Sequence, residues 1–239
     1  MAALPPVNRE VTFFFDLVCP YAFLASRRLP AIVGSRAKLV WRPVLLGGLY
    51  KATAAPQGAD GSATDVMTEA KRAVNAEDLR MCAAMQGVFF APSVTPGTHA
   101  KGRTLTACRT LAVAPEPQVP ALAAALYQTC WIEGLDLGDP QVVHNSLASV
   151  VGAVDAEALL RAANEPAAKA RLRDNTDEAA RLGAFGVPTM AIDGVDASHP
   201  LCVPERAPID SFELEQARGS GSCTPVSYTH LTLPTICSV

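Results

Sequence analysis

The sequence contains no Cys-x-x-Cys pair, although it holds seven cysteines, at positions 19, 82, 108, 130, 202, 223 and 237. An odd count at irregular spacing argues against a disulfide framework, and scattered thiols do not assemble a structural zinc site. Histidine is scarce, and His99, His144 and His199 are not spaced as metal ligands; no bound metal is expected. Charge of one sign is lacking too. Twenty Lys and Arg stand against 23 Asp and Glu, a net charge of −3. Without clustered cations to neutralise phosphates, nucleic-acid binding is not expected. No apolar run approaches the ~20 residues that a membrane span requires. The stretch 1–9 has no basic region followed by an apolar stretch and a cleavage site, which reads as a cytosolic protein without a secretion signal. Aromatics are only 6% of the 239 residues, yet hydrophobic residues reach 49%. That is enough to build a sizeable core, so disorder of the whole chain is excluded.

The run Val11-Thr-Phe-Phe-Phe15 reads as a buried strand. Pro20 suits the first position of a helix, where its missing N–H is not needed, and apolar Leu24, Ala25, Leu29 and Ile32 recur at helical spacing. Pro30 should end or kink that helix. Residues 38–46 return to strand character, with Gly47-Gly48 as the stop, and 52–64 read as a loop. Helices are then predicted over 64–86, 104–113, 119–133, 139–151, 155–164 and 166–182, followed by a strand over 190–193 introduced by Val187-Pro188. Periodicity alone therefore gives an α/β domain carrying a helical subdomain.

Cys19 follows the first strand and directly precedes Pro20. N–H groups in the first turn of a helix have no partners within it, and the helix dipole adds partial positive charge there. Such sites lower a cysteine pKa from ~8.5 into the range ~3.5–7.5, so the sulfur can act as a nucleophile or stabilise another thiolate. A buried capping cysteine is the plainer alternative. Cys19-Pro-Tyr-Ala22 has the outline of a Cys-Pro-x-Cys redox site with alanine in place of the second thiol. Disulfide exchange normally uses that second thiol to release a mixed disulfide. A cis Val187-Pro188 bond would present the Val187 main chain toward the helix head, where an extended peptide could pair with it.

Phe14-Phe-Asp-Leu-Val-Cys-Pro-Tyr-Ala-Phe-Leu-Ala25, Leu45-Leu-Gly-Gly-Leu-Tyr-Lys-Ala52, Lys71-Arg72 with Asp78-Leu-Arg80, Trp131-Ile-Glu-Gly134 and Gly186-Val-Pro-Thr189 occur in an order that resembles 2-hydroxychromene-2-carboxylate isomerases and kappa-class glutathione transferases. The resemblance covers roughly residues 10 to 194. It implies an α/β, thioredoxin-like (DsbA-like) sheet with a large helical insertion. Residues 10–50 and 184–218 would form the thioredoxin-like domain, and 64–183 the inserted helical subdomain. It further implies glutathione as cofactor, an aromatic or electrophilic small-molecule substrate, a role in aromatic catabolism and, by analogy, a homodimer. The position of Cys19 is usually serine in that family, where the hydroxyl stabilises the glutathione thiolate; here an S–H would donate, or Cys19 would itself be the thiolate. Tyr21 matches a glutathione-contacting position, with a packed aromatic as the alternative. Val187 matches the residue whose backbone pairs with the cysteinyl unit, beside Pro188 as a structural cis proline. Lys51 resembles the family lysine that holds a substrate carboxylate, with a solvated loop lysine as the alternative. The competing functions are a single-cysteine DsbA-like thiol-disulfide oxidoreductase and a non-catalytic thioredoxin-fold protein that binds glutathione or peptide.

Other polar residues read more plainly. Asp16 is a turn or cap aspartate before it is a buried carboxylate under the site. Lys71, Arg72, Asp78 and Arg80 have spacings for ion pairs along one helix. Cys82, Cys108 and Cys130 read as core thiols. After Gly194 the resemblance lapses: Ser211 stands where an arginine is expected, and from 219 to 239 the composition shifts to Ser, Thr and Pro. That tail is atypical of the domain. It is expected to be poorly ordered and to accompany a weakened hold on glutathione.

Overall fold

The computed structural model of the chain describes residues 9–94 and 103–192. The apolar run forms strand β1, Glu10–Phe15. Phe13, Phe14 and Phe15 are all fully buried. Both faces of β1 are therefore covered, which is why its sequence is a continuous apolar run and does not alternate. β1 is the middle strand, paired parallel with β2, Lys38–Pro43, and antiparallel with β3, Thr189–Ile192. Register sets Phe13 beside Trp41 and Phe14 beside Thr189. The Phe13 and Phe15 rings stack at 5.2 Å, and both meet Trp41 edge-on.

A parallel pair needs a crossover, and helix α1, Pro20–Val33, supplies it. Pro30 does not end the helix. It stands exposed, and the chain runs on to Gly34, whose N–H closes on the Pro30 carbonyl at 3.0 Å. Gly34 has φ +53°, a conformation that glycine adopts without penalty.

The sequence pattern extends the second strand to Leu46. Instead β2 stops at Pro43, and Leu46–Ala52 wind into helix α2. Leucine at position 45 has no side-chain acceptor, so the caps come from elsewhere: the Leu45 N–H donates to Thr176 Oγ1 (3.1 Å) and the Leu46 N–H to Asp16 Oδ2 (2.9 Å). Gly47 and Gly48 are not a strand stop. A Cβ on Gly47 would collide with the Ala59 carbonyl oxygen, and one on Gly48 would lie 2.8 Å from Thr176 Cγ2.

The predicted helix from 64 begins later, as α3, Glu69–Met85, capped by Thr68. A separate 3-10 turn at Ala63–Val66, capped by Ser62, takes up the start of that stretch. Helices α4 (Leu105–Val113), α5 (Val119–Tyr127), α6 (Pro140–Val151), α7 (Ala153–Asn164) and α8 (Pro166–Arg181) follow, with a π-turn at Gln128–Ile132. Strands and helices share one apolar core that joins Phe13, Leu17 and Val187 to Leu122, Tyr127, Trp131 and Leu172.

Candidate active site

The link from β1 to α1 is a tight turn. The Cys19 N–H donates to the Asp16 carbonyl (3.2 Å), and the Val18 N–H donates to Asp16 Oδ1 (3.1 Å). Aspartate opens such turns because its short side chain can bond the backbone two residues on. The turn leaves Cys19 at the N-cap of α1 in an extended conformation, with Pro20 behind it. Cys19 is 8% exposed.

The helices hold this turn from below. Tyr127 donates its O–H to the Asp16 carbonyl (3.2 Å), and Trp131 donates Nε1–H to the Leu17 carbonyl (3.0 Å). Thr104 Oγ1 (3.0 Å) and Cys108 Sγ (3.5 Å) both donate to Asp16 Oδ1. Asp16 is thus at once the expected turn residue, a cap for α2 and a buried carboxylate. Burial pushes its carboxyl above the ordinary value, against the four hydrogen bonds that favour the ionised form. Burial also drives Cys108 well above its usual range, with the Asp16 charge second. Tyr127 is raised in the same way, by burial first and then by Cys19.

Two chain segments 168 positions apart meet at the sulfur. Cys19 Sγ donates to the Val187 carbonyl at 3.3 Å, and the Val187–Pro188 peptide bond is cis. Val187 is nearly buried. Its N–H meets no acceptor among the described residues, which leaves an open main-chain donor beside the thiol and fits a peptide-like ligand. Tyr50, on α2, is buried, and its phenol is pushed up to about 12, by burial first and then by the charge of Cys19. Helix α2 therefore lies within electrostatic reach of the sulfur.

Lys51 follows Tyr50, in the last turn of α2; it is exposed and forms no ion pair among the described residues. Tyr21 is half-buried and ties α1 to α3, its O–H directed at Asn75 Oδ1 (3.1 Å) and the Asn75 carbonyl (3.3 Å). Arg80 pairs with Glu77 through two contacts of 2.9 and 2.6 Å, and Asp78 turns inward. Cys82, Cys108 and Cys130 are buried. His144 is half-buried on α6, while His99, His199, Ser211 and the tail from 219 lie outside the described residues. Among the described residues no group of His, Cys, Asp and Glu could hold a metal, and no helix is long and apolar enough to cross a membrane.

Sequence reasoning missed Thr104, Tyr127 and Thr176. Thr104 stands just before α4 and Thr176 beside the buried Asn175 of α8, with no distinctive local pattern, while Tyr127 is a polar residue on the otherwise apolar buried face of α5, a hint that a buried partner awaits its hydroxyl.

A family model described as a DsbA-like thioredoxin domain matches residues 10–214. The chain is 26% identical over 188 residues to a 2-hydroxychromene-2-carboxylate isomerase from Sphingobium xenophagum, covering 78% of this chain and 90% of that protein. It is 27% identical over 201 residues to glutathione S-transferase kappa 1 of Rattus norvegicus, covering 79% and 84%. A probable DsbA oxidoreductase from Streptomyces coelicolor shares the fold at TM-score 0.63 and 22% identity, over 92% of this chain and 94% of that one.

Proposed function

Because this chain belongs to the DsbA-like thioredoxin-domain family, we propose that it is a glutathione-dependent enzyme acting on a small aromatic or electrophilic substrate. Isomerisation of a 2-hydroxychromene-2-carboxylate-like compound is the first reading and glutathione transfer the second. One observation carries this: the Cys19 thiol lies 3.3 Å from the Val187 carbonyl at the head of α1. The curated relatives named above lend the reaction class.

Bound glutathione would supply a sulfur that adds to the substrate double bond and leaves again once that bond has turned. The protein's part is binding and orientation. The Val187 main chain pairs with the peptide portion of the ligand. The Cys19 S–H, released from the Val187 carbonyl, donates to the ligand sulfur and, with the partial positive charge at the head of α1, favours its anion. Lys51 holds the substrate carboxylate. Fixing both partners converts an encounter into an oriented reaction, which is where most of the rate gain arises when little covalent chemistry falls to the protein.

The competing single-cysteine oxidoreductase uses the same sulfur as nucleophile, and substitution separates the two. Cys19→Ser is expected to keep isomerase turnover within about tenfold of the wild type, since a hydroxyl also donates, and Cys19→Ala to lose about a hundredfold. Complete loss in Cys19→Ser, with disulfide reduction in the wild type, would support the oxidoreductase. Titration calorimetry gives the direct test of the cofactor: no heat with millimolar glutathione would overturn the proposal.

A further inference from the structure

The Asp16 carboxylate accepts four hydrogen bonds, and nothing in the proposed chemistry uses it. It is 3% exposed. Oδ1 accepts from the Val18 N–H, Thr104 Oγ1 and Cys108 Sγ, at 3.1, 3.0 and 3.5 Å, and Oδ2 accepts from the Leu46 N–H at 2.9 Å. All four donors are neutral, so no cation compensates the burial through these contacts. The donors come from different places. Val18 is the residue before Cys19, Leu46 opens the helix that ends in Tyr50-Lys51-Ala52, and Thr104 and Cys108 stand at the start of α4.

We propose that Asp16 is a positioning residue that fixes the Cys19 turn and helix α2 to one another, and so sets the sulfur and Lys51 in one frame. The proposal rests on the reading of Cys19 and Lys51 given above. It follows from the layout: among the described residues the Leu46 N–H bond to Asp16 is the hydrogen bond that joins the Asp16–Cys19 turn to the start of α2, and α2 has no side-chain cap of its own. Stability alone does not explain the carboxylate. Burial works against its charge, and an apolar filling with a locally capped helix would avoid that penalty. A carboxylate does offer two oxygens that accept from several directions at once, which an amide or an alcohol cannot match.

Asp16 also places negative charge close to the sulfur. The titratable groups facing this region are Cys108 on α4, Tyr127 on α5, Cys130 in the π-turn, Tyr50 on α2 and Cys19 itself. None of them brings a positive charge. Removing the Asp16 charge therefore favours the Cys19 thiolate, while losing its bonds loosens the frame. The two consequences run in opposite directions, and that opposition is the signature of the role.

The test is iodoacetamide labelling across pH, read cysteine by cysteine by peptide mass spectrometry, beside steady-state kinetics. The buried thiols of Cys82, Cys108 and Cys130 report unfolding within the same experiment. In Asp16→Asn the midpoint for Cys19 labelling is expected to fall by about one pH unit, the three reporters to stay protected, and kcat/KM to drop about tenfold. Thr104→Val keeps the Asp16 charge and removes one donor; kcat/KM is expected to drop about threefold with no fall in the Cys19 midpoint, which keeps the proposal testable if Asp16→Asn does not fold. As a control, Thr129→Val cuts the buried hydroxyl pair with Ser146 and should leave the Cys19 midpoint unchanged. An unmoved midpoint in Asp16→Asn, or an unchanged kcat/KM in Thr104→Val, with reporters protected, would overturn the proposal. A shifted midpoint in a protein that shows no heat with glutathione would uphold the positioning of Cys19 and refute the cofactor reading, so the two failures are distinct.

Discussion

Beneath Cys19, Trp131, Tyr127, Thr104 and Cys108 all direct their polar hydrogens at the Asp16–Leu17 turn. Among the groups proposed to meet a ligand, by contrast, Lys51 is exposed without an ion pair and the Val187 N–H has no acceptor among the described residues. The first set is buried polar chemistry with its hydrogen bonds made, which gives rigidity. The second keeps donors available, which binding requires. The two regions should therefore answer substitution in opposite ways: the underside through folding, the ligand side through turnover.

The largest effect belongs to the underside. Trp131 is fully buried, packs edge-on against Phe90 at 5.7 Å and holds the Leu17 carbonyl. Trp131→Ala is expected to lower unfolding free energy by about 3–5 kcal/mol in urea titration, from lost burial and the cavity left behind. A loss under about 1 kcal/mol would show that the turn is not held from below. Gly47→Ala comes next. Its new Cβ meets backbone, the Ala59 carbonyl, which cannot swing aside as a side chain end can. A loss of about 1–3 kcal/mol is expected despite alanine's better helix propensity. Tyr127→Phe keeps the ring, stacked at 5.2 Å on Phe23, and removes only the bond to the Asp16 carbonyl. About 0.5–1.5 kcal/mol should go, with the Cys19 N–H still on that carbonyl.

The same contrast sets what was legible. The three strands, α1 and the later helices follow from local pattern, because each carries its own periodicity or its own start residue, such as Pro166. Helix α2 does not: its caps are supplied by Asp16 and Thr176, 30 and 131 positions away, and its two glycines answer to Ala59 and Thr176. The pairing of Cys19 with Val187 was legible only as a likeness to a family motif; periodicity places both residues at element ends and says nothing of their separation. The target of the Tyr127 hydroxyl was invisible, since nothing in the helix around it shows that it lies 111 positions earlier.

On the ligand side, Lys51→Ala should leave stability within about 0.5 kcal/mol of the wild type. Its effect should appear in KM for a carboxylate substrate, raised about tenfold with kcat little changed, as expected for a contact made equally in ground and transition states. A drop in unfolding free energy of about 2 kcal/mol instead would place Lys51 with the structural set and dissolve the contrast.

The finest test is a slope with pH. Burial raises the Asp16 carboxyl above its ordinary value, so the folded state binds its proton more readily than the unfolded chain does. Stability from that group is complete below the unfolded pKa and is lost as pH rises through the higher folded value. Asp16→Asn has no such proton. Unfolding free energies of the two proteins, measured from pH 3.5 upward, should therefore change in favour of the variant as pH rises, the reverse of what a carboxylate kept for stability would give. If the difference instead moves in favour of the wild type, the four hydrogen bonds outweigh burial and Asp16 belongs with Trp131 as a stabilising tie. If it moves toward the variant, the buried carboxylate at the centre of the underside is held there against its own electrostatics, and its place is explained by where it sets Cys19 and α2.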